Sequence, residues 1–322
     1  MTMINRDIAL AKKLLEKGKV VAIPTETVYG LAGNALDEEA IDSIYRVKER
    51  PKSNPLIIHI ASIDQLDSYA QNIPPLAYRL GKEFWPGPLT LLLEKKPIIP
   101  EATTSGSPFV AVRIPDHPLT LALLESIDFP LAAPSANPFG YISPTRPEHV
   151  QEQIGDKIPL ILDGAPCKSG LESTIVGFED QKLNLHRQGY ITEEQLKAFL
   201  PKNWCLIRKQ DTTIRTPGSH DYHYAPYTPM TLVDDFAEID PSVIDSKTGS
   251  LSWNKMLPGA GVCRVLSKGN SLEEAAKLLY NTLIELDQMA LEQIYCERFP
   301  QQGLGITINE RLEKAAKRAR KQ

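Results

Sequence analysis

Residues 20–35 read VVAIPTETVYGLAGNA, and residues 46–60 read RVKERPKSNPLIIHI. The first stretch begins with four apolar, mostly β-branched residues that stop at Pro24, a pattern typical of a short buried strand. A hydroxyl-rich Thr-Glu-Thr turn follows it. Residues 56–60 alternate as a second strand and carry His59 among aliphatic side chains. Two strands joined through a helix predict an α/β protein with a pocket near its strand ends.

The helix between these strands is expected to end in a cationic loop. Apolar residues recur at helical spacing after Asp37, which is suited to cap the helix. Pro51 excludes helical geometry at Arg50, so Lys48 and Arg50 should lie at the helix end, and Asn54 marks a further turn. These groups, the hydroxyls and the imidazole are suited to converge on an anion. Each also has a simpler explanation, because basic residues at a helix C-terminus usually only interact with the helix dipole.

Composition narrows the functional classes. The chain of 322 residues is long enough for two domains or one large one, and its formal net charge of −4 predicts no general affinity for polyanions. No apolar run reaches the roughly 18 residues that a membrane span needs. The cysteines are far apart and lack zinc-site spacing, which fits reduced thiols in a cytoplasm. They are Cys167, Cys205, Cys263 and Cys296.

The rest of the first two thirds of the chain alternates between strands and helices. The N-terminus predicts an amphipathic helix with Asn5 as its cap and Gly18 as its stop. Residues 97–108 are rich in Pro, Thr, Ser and Gly and predict an exposed loop. Thr192 and Gln195 have the spacing of a capping box. Further strands are predicted over 89–93, 110–114, 131–133, 160–163, 173–178 and 183–187, and helical segments over 63–66 and 75–84.

Arg113 lies inside an apolar strand, in the sequence VAVRIPDHP. A guanidinium is costly to bury without an anionic partner. Either it pairs with a structural carboxylate such as Asp116, or it binds the carboxylate of a ligand, for which its planar fork is well suited.

The loop at 134–143, PSANPFGYIS, follows the strand at 131–133. It offers two hydroxyls, an amide and many backbone donors, and small residues allow backbone N–H groups to approach a phosphate. A turn-rich connection without a ligand is the alternative.

The composition changes after residue 208 and predicts three parts, with a domain at 1–208, a linker at 209–229 and a smaller domain at 230–322. The linker holds three prolines and three tyrosines without apolar periodicity, so we expect an ordered connection that is suited to lie over the pocket as a lid. His220 and His223 are only a weak metal motif, because no cysteine or helix accompanies them.

The smaller domain has the signals of a βαβ arrangement. Ser271 and Glu274 have capping-box spacing before a helix with an apolar face. Strands are predicted at 262–265 and 294–296, and a further helix from Ile308.

Several motifs in order resemble the YrdC-like threonylcarbamoyl-AMP synthases. They are Pro24-Thr-Glu-Thr-Val-Tyr-Gly30, Lys48-x-Arg50-Pro51-x-x-Asn54-Pro55-Leu56, Pro134-Ser-Ala-Asn137 and Ser173-Thr-Ile-Val176. The continuation through TPGSHDYHYAP to GLGITINERLEKAA is similar to the long, two-domain form. The resemblance implies a twisted mixed-sheet YrdC-like domain with a large concave cavity, a smaller Rossmann-like α/β domain, and a long ordered linker across the cavity mouth.

The activity that the resemblance implies joins L-threonine, bicarbonate and ATP into threonylcarbamoyladenylate and pyrophosphate, with Mg²⁺ bound through the ATP phosphates. A downstream complex then transfers the threonylcarbamoyl group to the adenosine beside the anticodon of certain tRNAs. The resemblance also implies a weak affinity for RNA.

The same resemblance implies roles for individual residues. For L-threonine they are Thr27, His59, Arg113, Ser173 and, through its backbone, Ala133. For ATP they are Arg50, Asn54, Phe109 through its backbone, Ser135, Ser143, Arg187 and Tyr224. Lys48 and Arg50 would be the catalytic cations, in a reaction that depends on positioning rather than on a dedicated general base.

The linker departs from the family pattern at Ser219, His220 and Tyr222, where a methionine and two basic residues are usual. A second function class is a non-catalytic RNA-binding or ribosome-associated module, since the same cations suit an RNA backbone. A third, a carbamoyltransferase with a related domain, is disfavoured because it would carry acylphosphatase and zinc-finger modules.

Overall fold

The computed structural model describes residues 2–208 and 223–317, which divide into two compact units. Within these residues the first unit comprises 2–138, 144–168 and 172–208, and the second comprises 139–143, 169–171 and 223–317. Most of the predicted linker, including Ser219, His220 and Tyr222, lies outside the described residues.

The first unit is a mixed α/β structure. Its strands are β1 Met3–Asn5, β2 Val21–Ile23, β3 Gly30–Asn34, β4 Ile57–His59, β5 Ala70–Gln71, β6 Leu89–Lys95, β7 Phe109–Arg113, β8 Leu131–Ala132, β9 Leu160–Leu162, β10 Thr174–Glu179, β11 Lys182–Arg187 and β12 Cys205–Arg208. Its helices are α1 Ile8–Glu16, α2 Glu38–Lys48, α3 Leu66–Tyr69, α4 Pro75–Phe84, α5 Glu101–Thr104, α6 Pro118–Glu125, α7 Pro147–Ile154 and α8 Glu193–Phe199.

Within residues 2–208 the twelve strands form one sheet in the order β1-β9-β2-β3-β8-β4-β7-β6-β10-β11-β12, with β5 beside β6. The sheet contains both parallel pairs, such as β4 with β7, and antiparallel pairs, such as β6 with β7. This confirms the predicted mixed α/β class.

The two faces of the central strands differ in what they carry. Because strand side chains alternate between faces, residues two apart share one. One face contributes Ile58, Val112, Leu91 and Val176 to the main core. The opposite face carries a small separate cluster of Ile57, Ala111, Leu92 and Ile175, with Phe109 packed against it. His59 and Arg113, paired in register on β4 and β7, follow Ile57 and Ala111 on this second face. His59 and Arg113 therefore lie at one end of this small apolar cluster, which we call the apolar floor.

The N-terminal prediction was partly wrong. Helix α1 is capped by Asp7, whose carboxylate accepts from the Leu10 N–H at 2.9 Å, and not by Asn5. Asn5 ends β1, which pairs in parallel with β9, and its side chain accepts from the Asp7 N–H. The predicted stop is confirmed, because Gly18 follows the helix with a φ of 69° that favours glycine.

Several further segments differ from the predictions. Strand β3 was not predicted because two glycines weaken its strand pattern. A Cβ at Gly30 would lie 3.2 Å from the Ala133 Cβ, so close packing explains a glycine there. Residues 97–108 contain α5, with Thr103 and Thr104 buried, and are not simply an exposed loop. Helices α6 and α7 also escaped prediction, and each begins with a proline at its first position, where no N–H is needed.

Two predicted caps are confirmed. Asp37 accepts from the Glu39 N–H at the start of α2, and Thr192 with Gln195 forms both bonds of the capping box of α8. Helix α2 ends at Lys48, and Glu49 has a left-handed φ of 55°, so Arg50 lies outside the helix as predicted.

The second unit holds a parallel four-stranded sheet in the order β13-β16-β14-β15 within residues 223–317. Its elements are β13 Met230–Val233, β14 Thr248–Ser252, β15 Val262–Val265, α9 Leu272–Asp287, β16 Gln293–Glu297 and α10 Leu304–Ala316. Strands β13 and β14 were not predicted, and α10 begins before the expected Ile308. Ser271 caps α9 as predicted. The Glu274 carboxylate, however, accepts from the Ser267 hydroxyl and not from the Ser271 N–H, so the second bond of the expected capping box is not formed.

In residues 2–208 and 223–317, no helix has the length and apolar character that crossing a membrane requires.

Candidate functional site

Arg113 and Glu26 form a buried ion pair at the end of β7. The Arg113 Nη2 lies 2.7 Å from the Glu26 Oε2, and the two side chains are 5% and 3% exposed. The guanidinium also donates through Nε to the Gly87 carbonyl at 3.2 Å. The same Glu26 oxygen accepts from the Asp116 N–H at 3.1 Å. The structural carboxylate is therefore Glu26, and not the Asp116 named as one alternative from sequence.

Thr27 joins this pair through its hydroxyl. Arg113 Nη2 donates to the Thr27 Oγ1 at 3.0 Å, and the Thr25 Oγ1 lies 2.8 Å from the same oxygen. The Thr25 hydroxyl in turn donates to the Val28 carbonyl at 2.6 Å, which fixes the turn after β2. The turn thus presents hydroxyls, a carboxylate and a guanidinium together, as a zwitterion would require.

His59 lies next to the cluster of Arg113, Glu26 and Thr27. It is buried, it pairs in register with Arg113, and its Nδ1 lies 3.4 Å from the Leu131 carbonyl. Burial, with the nearby Arg113 guanidinium, lowers the pKa of His59 to about 3. The imidazole is therefore neutral at physiological pH and offers a hydrogen bond rather than a charge.

This shift predicts a pH-dependent stability. Between its ordinary pKa of 6.5 and about 3, His59 binds a proton in the unfolded chain but not in the folded one. The free energy of unfolding should therefore fall as the pH decreases through this window. We expect the melting temperature of His59→Gln to depend less on pH than that of the wild type when both are measured across this pH window. Parallel profiles for the two proteins would show that His59 is not the titrating group.

Ser173 immediately precedes β10 and belongs to a second polar group. Its Oγ is 2.7 Å from the Thr90 Oγ1. Arg187, at the end of β11, donates through Nε and Nη2 to the Ser173 carbonyl at 3.0 and 2.8 Å, and through Nη2 to its hydroxyl at 2.9 Å. A guanidinium thus fixes both the backbone and the hydroxyl of Ser173.

Lys48 binds the loop that follows β8. Its Nζ donates to the carbonyls of Ser135 and Asn137, each at 2.5 Å, and only 1% of the residue is exposed. Burial, with a smaller contribution from Arg50, lowers the pKa of Lys48 well below its ordinary value. Ser135 is further tied to Gly30 by an isolated bridge.

Arg50 closes the loop after α2. Its Nε donates to the Asn54 carbonyl at 3.1 Å and its Nη2 to the Pro55 carbonyl at 3.0 Å. The Asn54 side chain is buried, and neither its oxygen nor its nitrogen has a hydrogen-bond partner within the described residues. A buried amide without partners is costly in a folded protein, so this side chain is suited to a ligand.

The remaining predicted residues are distributed over both units. In the first, the Ala133 N–H donates to the Ile57 carbonyl at 3.0 Å, and Phe109 begins β7 beside the apolar floor. Ser143 and Tyr224 belong to the second unit, and both are buried. The structure thus brings Thr27, Arg113 and His59 into one group, Ser173 and Arg187 into a second, and Lys48, Arg50, Asn54 and Ser135 into a third.

Comparisons with known proteins agree with the resemblance seen in the motifs. Residues 13–189 match the Sua5/YciO/YrdC family model, described as telomere recombination, and residues 191–317 match the model of the threonylcarbamoyl-AMP synthase C-terminal domain. The chain belongs to the threonylcarbamoyl-AMP synthase family. It is 38% identical to the synthase of Pyrococcus abyssi over 96% of this chain and 94% of that protein. It is 40% identical to the synthase of Bacillus subtilis over 96% and 92%.

The solved structure of one relative matches the fold of both units. It is the crystal structure of P. abyssi Sua5 complexed with L-threonine, with a TM-score of 0.89 and 35% identity. The match covers 99% of this chain and 98% of that one.

Two polar residues near the predicted threonylcarbamoyl-AMP synthase site were missed from sequence, Glu26 and Thr90. Glu26 is adjacent to Thr27 in the turn, but Asp116 is closer to Arg113 in sequence. Thr90 interrupts the apolar strand LTLLL as Arg113 interrupts its own, which was an available signal. A hydroxyl is much cheaper to bury than a guanidinium, so that signal was weaker.

Proposed function

We propose that this protein synthesises L-threonylcarbamoyladenylate from L-threonine, bicarbonate and ATP, with release of pyrophosphate. The observation that carries the proposal is its similarity, over 96% of the chain, to enzymes named threonylcarbamoyl-AMP synthase. The structure of such a relative with L-threonine supports this amino acid as the substrate.

We assign the group around Arg113 to L-threonine. The guanidinium would bind the amino acid's carboxylate, with Thr27 beside it, and the neutral His59 and Ser173 would orient the hydroxyl. The backbone of Ala133 would complete the site. The buried Glu26 supports this assignment, because a zwitterion is best recognised where a cation and an anion lie side by side. The Glu26 Oε1 is buried without a hydrogen-bond partner within the described residues.

We assign the group around Lys48 to ATP. The Asn54 amide, which has no hydrogen-bond partner within the described residues, supports a phosphate or base contact there, beside the loop that Arg50 holds through the Asn54 and Pro55 carbonyls. The full proposed set is Lys48, Arg50, Asn54, Phe109, Ser135, Ser143, Arg187 and Tyr224. Mg²⁺ would enter with ATP, held by the phosphates as part of the substrate.

The chemistry asks for positioning more than for a covalent nucleophile. The threonine amine and bicarbonate first give a carbamate with loss of water, and an oxygen of the carbamate then attacks the α-phosphorus of ATP as pyrophosphate leaves. Two anions must meet in this step, so fixed cations and N–H donors stabilise the developing charge. Lys48 and Arg50 would serve as these cations.

We further propose the finer organisation implied by the family. Residues 1–208 would form the YrdC-like catalytic domain with a concave cavity, 209–229 the linker and lid, and 230–322 a Rossmann-like domain. The product would pass in the cytoplasm to a complex that modifies tRNA beside the anticodon, and any RNA affinity of the chain itself would be weak. The acidic net charge of −4 fits a secondary RNA contact better than a module dedicated to RNA.

The proposal is tested by pyrophosphate release from ATP and Mg²⁺, with L-threonine and bicarbonate added separately and together. We expect release only when both are present, and an adenylate product that carries the label of [¹⁴C]bicarbonate. Release with neither substrate would indicate a nucleotide hydrolase. No release under any condition would favour the non-catalytic RNA-binding alternative.

A further inference from the structure

In the second unit, the segment 139–143 packs on residues 225–228, which belong to the described end of the predicted linker. The Ala225 N–H donates to the Gly140 carbonyl at 2.9 Å. The rings of Tyr141 and Tyr227 stack with centroids 4.8 Å apart and an interplanar angle of 27°. The two segments are thus held together by a backbone hydrogen bond and an aromatic stack.

Asp287, the last residue of α9, binds both segments at once. Its Oδ2 accepts from the Tyr141 hydroxyl at 2.7 Å, and its Oδ1 accepts from the Thr228 N–H at 2.7 Å. Hydrogen bonds to a carboxylate are short and strong, and two of them on one side chain fix the spacing of their donors. Asp287 therefore joins two stretches that lie more than eighty positions apart along the chain.

Both stretches carry residues of the proposed ATP site. Ser143 follows Tyr141 by two positions, and Tyr224 precedes Thr228 by four. Tyr224 has a left-handed φ of 65°, stacks on Tyr280 at 5.5 Å, and lies under the Arg311 guanidinium at 5.0 Å. Its ring is thus held between α9 and α10.

We propose that Asp287 is a positioning residue for ATP, which acts through Tyr141 on Ser143 and through Thr228 on the chain that carries Tyr224. This inference rests on the proposed ATP roles of Ser143 and Tyr224. It gives the C-terminal domain a function in the reaction, because a carboxylate at the end of its helix sets the geometry of nucleotide contacts. Neither of the two hydrogen bonds of Asp287 involves a residue assigned to L-threonine.

The test is steady-state kinetics of Tyr141→Phe, which removes the hydroxyl and keeps the ring that stacks on Tyr227. We expect its KM for ATP to rise roughly 5- to 30-fold, while the KM for L-threonine stays within about twofold. The rise is smaller than the roughly 10- to 150-fold effect of losing a direct hydrogen bond to a charged group, because Tyr141 acts on ATP only through Ser143. Asp287→Ala removes both bonds and should raise the KM for ATP further. Adding Tyr141→Phe to Asp287→Ala should then have no additional effect, because the partner is already gone.

The control is Tyr78→Phe, which removes a hydrogen bond of 2.9 Å from a tyrosine hydroxyl to the Asp67 carboxylate at an exposed position of the first unit. It should leave both KM values unchanged. Equal changes in the two KM values, or a lower melting temperature with unchanged kinetics, would overturn the inference and assign Asp287 a structural role. Wild type must show release that depends on threonine and bicarbonate in the same assay, so a failure of the proposed function is recognised separately.

Discussion

Arg113→Lys is expected to raise the KM for L-threonine about 100-fold, equivalent to the ~2–3 kcal/mol of a charge-assisted hydrogen bond to the ligand carboxylate, and to change the KM for ATP little. The lysine keeps a positive charge but loses the planar fork. In the wild type, the guanidinium bonds to Glu26, Thr27 and the Gly87 carbonyl at once, which fixes its orientation. A flexible ammonium cannot satisfy these partners and also bind a carboxylate from a fixed direction. The KM for L-threonine is measured from rates of pyrophosphate release at several threonine concentrations, with ATP at a saturating concentration.

The lysine variant also separates recognition from stability. It leaves Glu26 with a cation, whereas Glu26→Gln leaves Arg113 buried without an anion. Removing one partner of a buried pair typically costs about 3–5 kcal/mol, so Glu26→Gln should melt at a clearly lower temperature than Arg113→Lys.

Arg208→Lys is the matched control for this substitution. Arg208 pairs with Glu193 in the same unit, but its side chain is 54% exposed, and such surface pairs contribute little. We expect wild-type kinetics and melting from it. If Arg113→Lys also kept the wild-type KM for threonine, the guanidinium would be part of a purely structural ion pair.

The elements that could be predicted from sequence are those whose signal is local. Strands β4, β6 and β7 are short apolar runs with clear ends, and Asp37 and Thr192 are caps whose partners lie within three positions. Strand β3 failed because its glycines serve packing against Ala133 and α2, and neither neighbour is visible in the local sequence. Helices α6 and α7 were not predicted because each has only eight residues, too few for a clear apolar period, although each begins with a proline as the predicted helix α4 does.

In the candidate site, too, only residues with a local sequence signal could be predicted. Arg113 could be singled out because burying a guanidinium is expensive in any fold. Its partner Glu26 could not, since the pair is 87 positions apart in sequence and is made by the turn after β2 meeting the end of β7. Ala133 and Phe109 carry no side-chain signal at all, because their expected roles use the backbone. These two assignments came from the family resemblance alone and stay predictions.

Lys48→Met is expected to lower kcat/KM for ATP about 100- to 1,000-fold, the usual effect of removing one donor that stabilises developing charge. The Lys48 Nζ already donates to the carbonyls of Ser135 and Asn137. A neutral amine has only two N–H donors, whereas an ammonium has three, so only the charged form retains one for a phosphate oxygen. Methionine has a similar length but satisfies neither carbonyl, so the loop at 135–137 should also lose its fixed position.

The same substitution should abolish a proton uptake that accompanies ATP binding. In the free protein, burial lowers the pKa of Lys48, so the fraction without a proton grows as the pH rises. A bound polyphosphate favours the charged form and raises that pKa again, so binding takes up a proton, and ATP affinity should weaken with increasing pH. Calorimetric titrations in buffers of different ionisation enthalpy measure the uptake, and ATP's own protonation contributes equally to wild type and variant. Lys52→Met is the control, because Lys52 is exposed and paired with Asp42 at 2.8 Å, and it should retain the wild-type uptake. Undiminished uptake in a folded Lys48→Met protein would show that Lys48 holds the loop at 135–137 without titrating against the nucleotide.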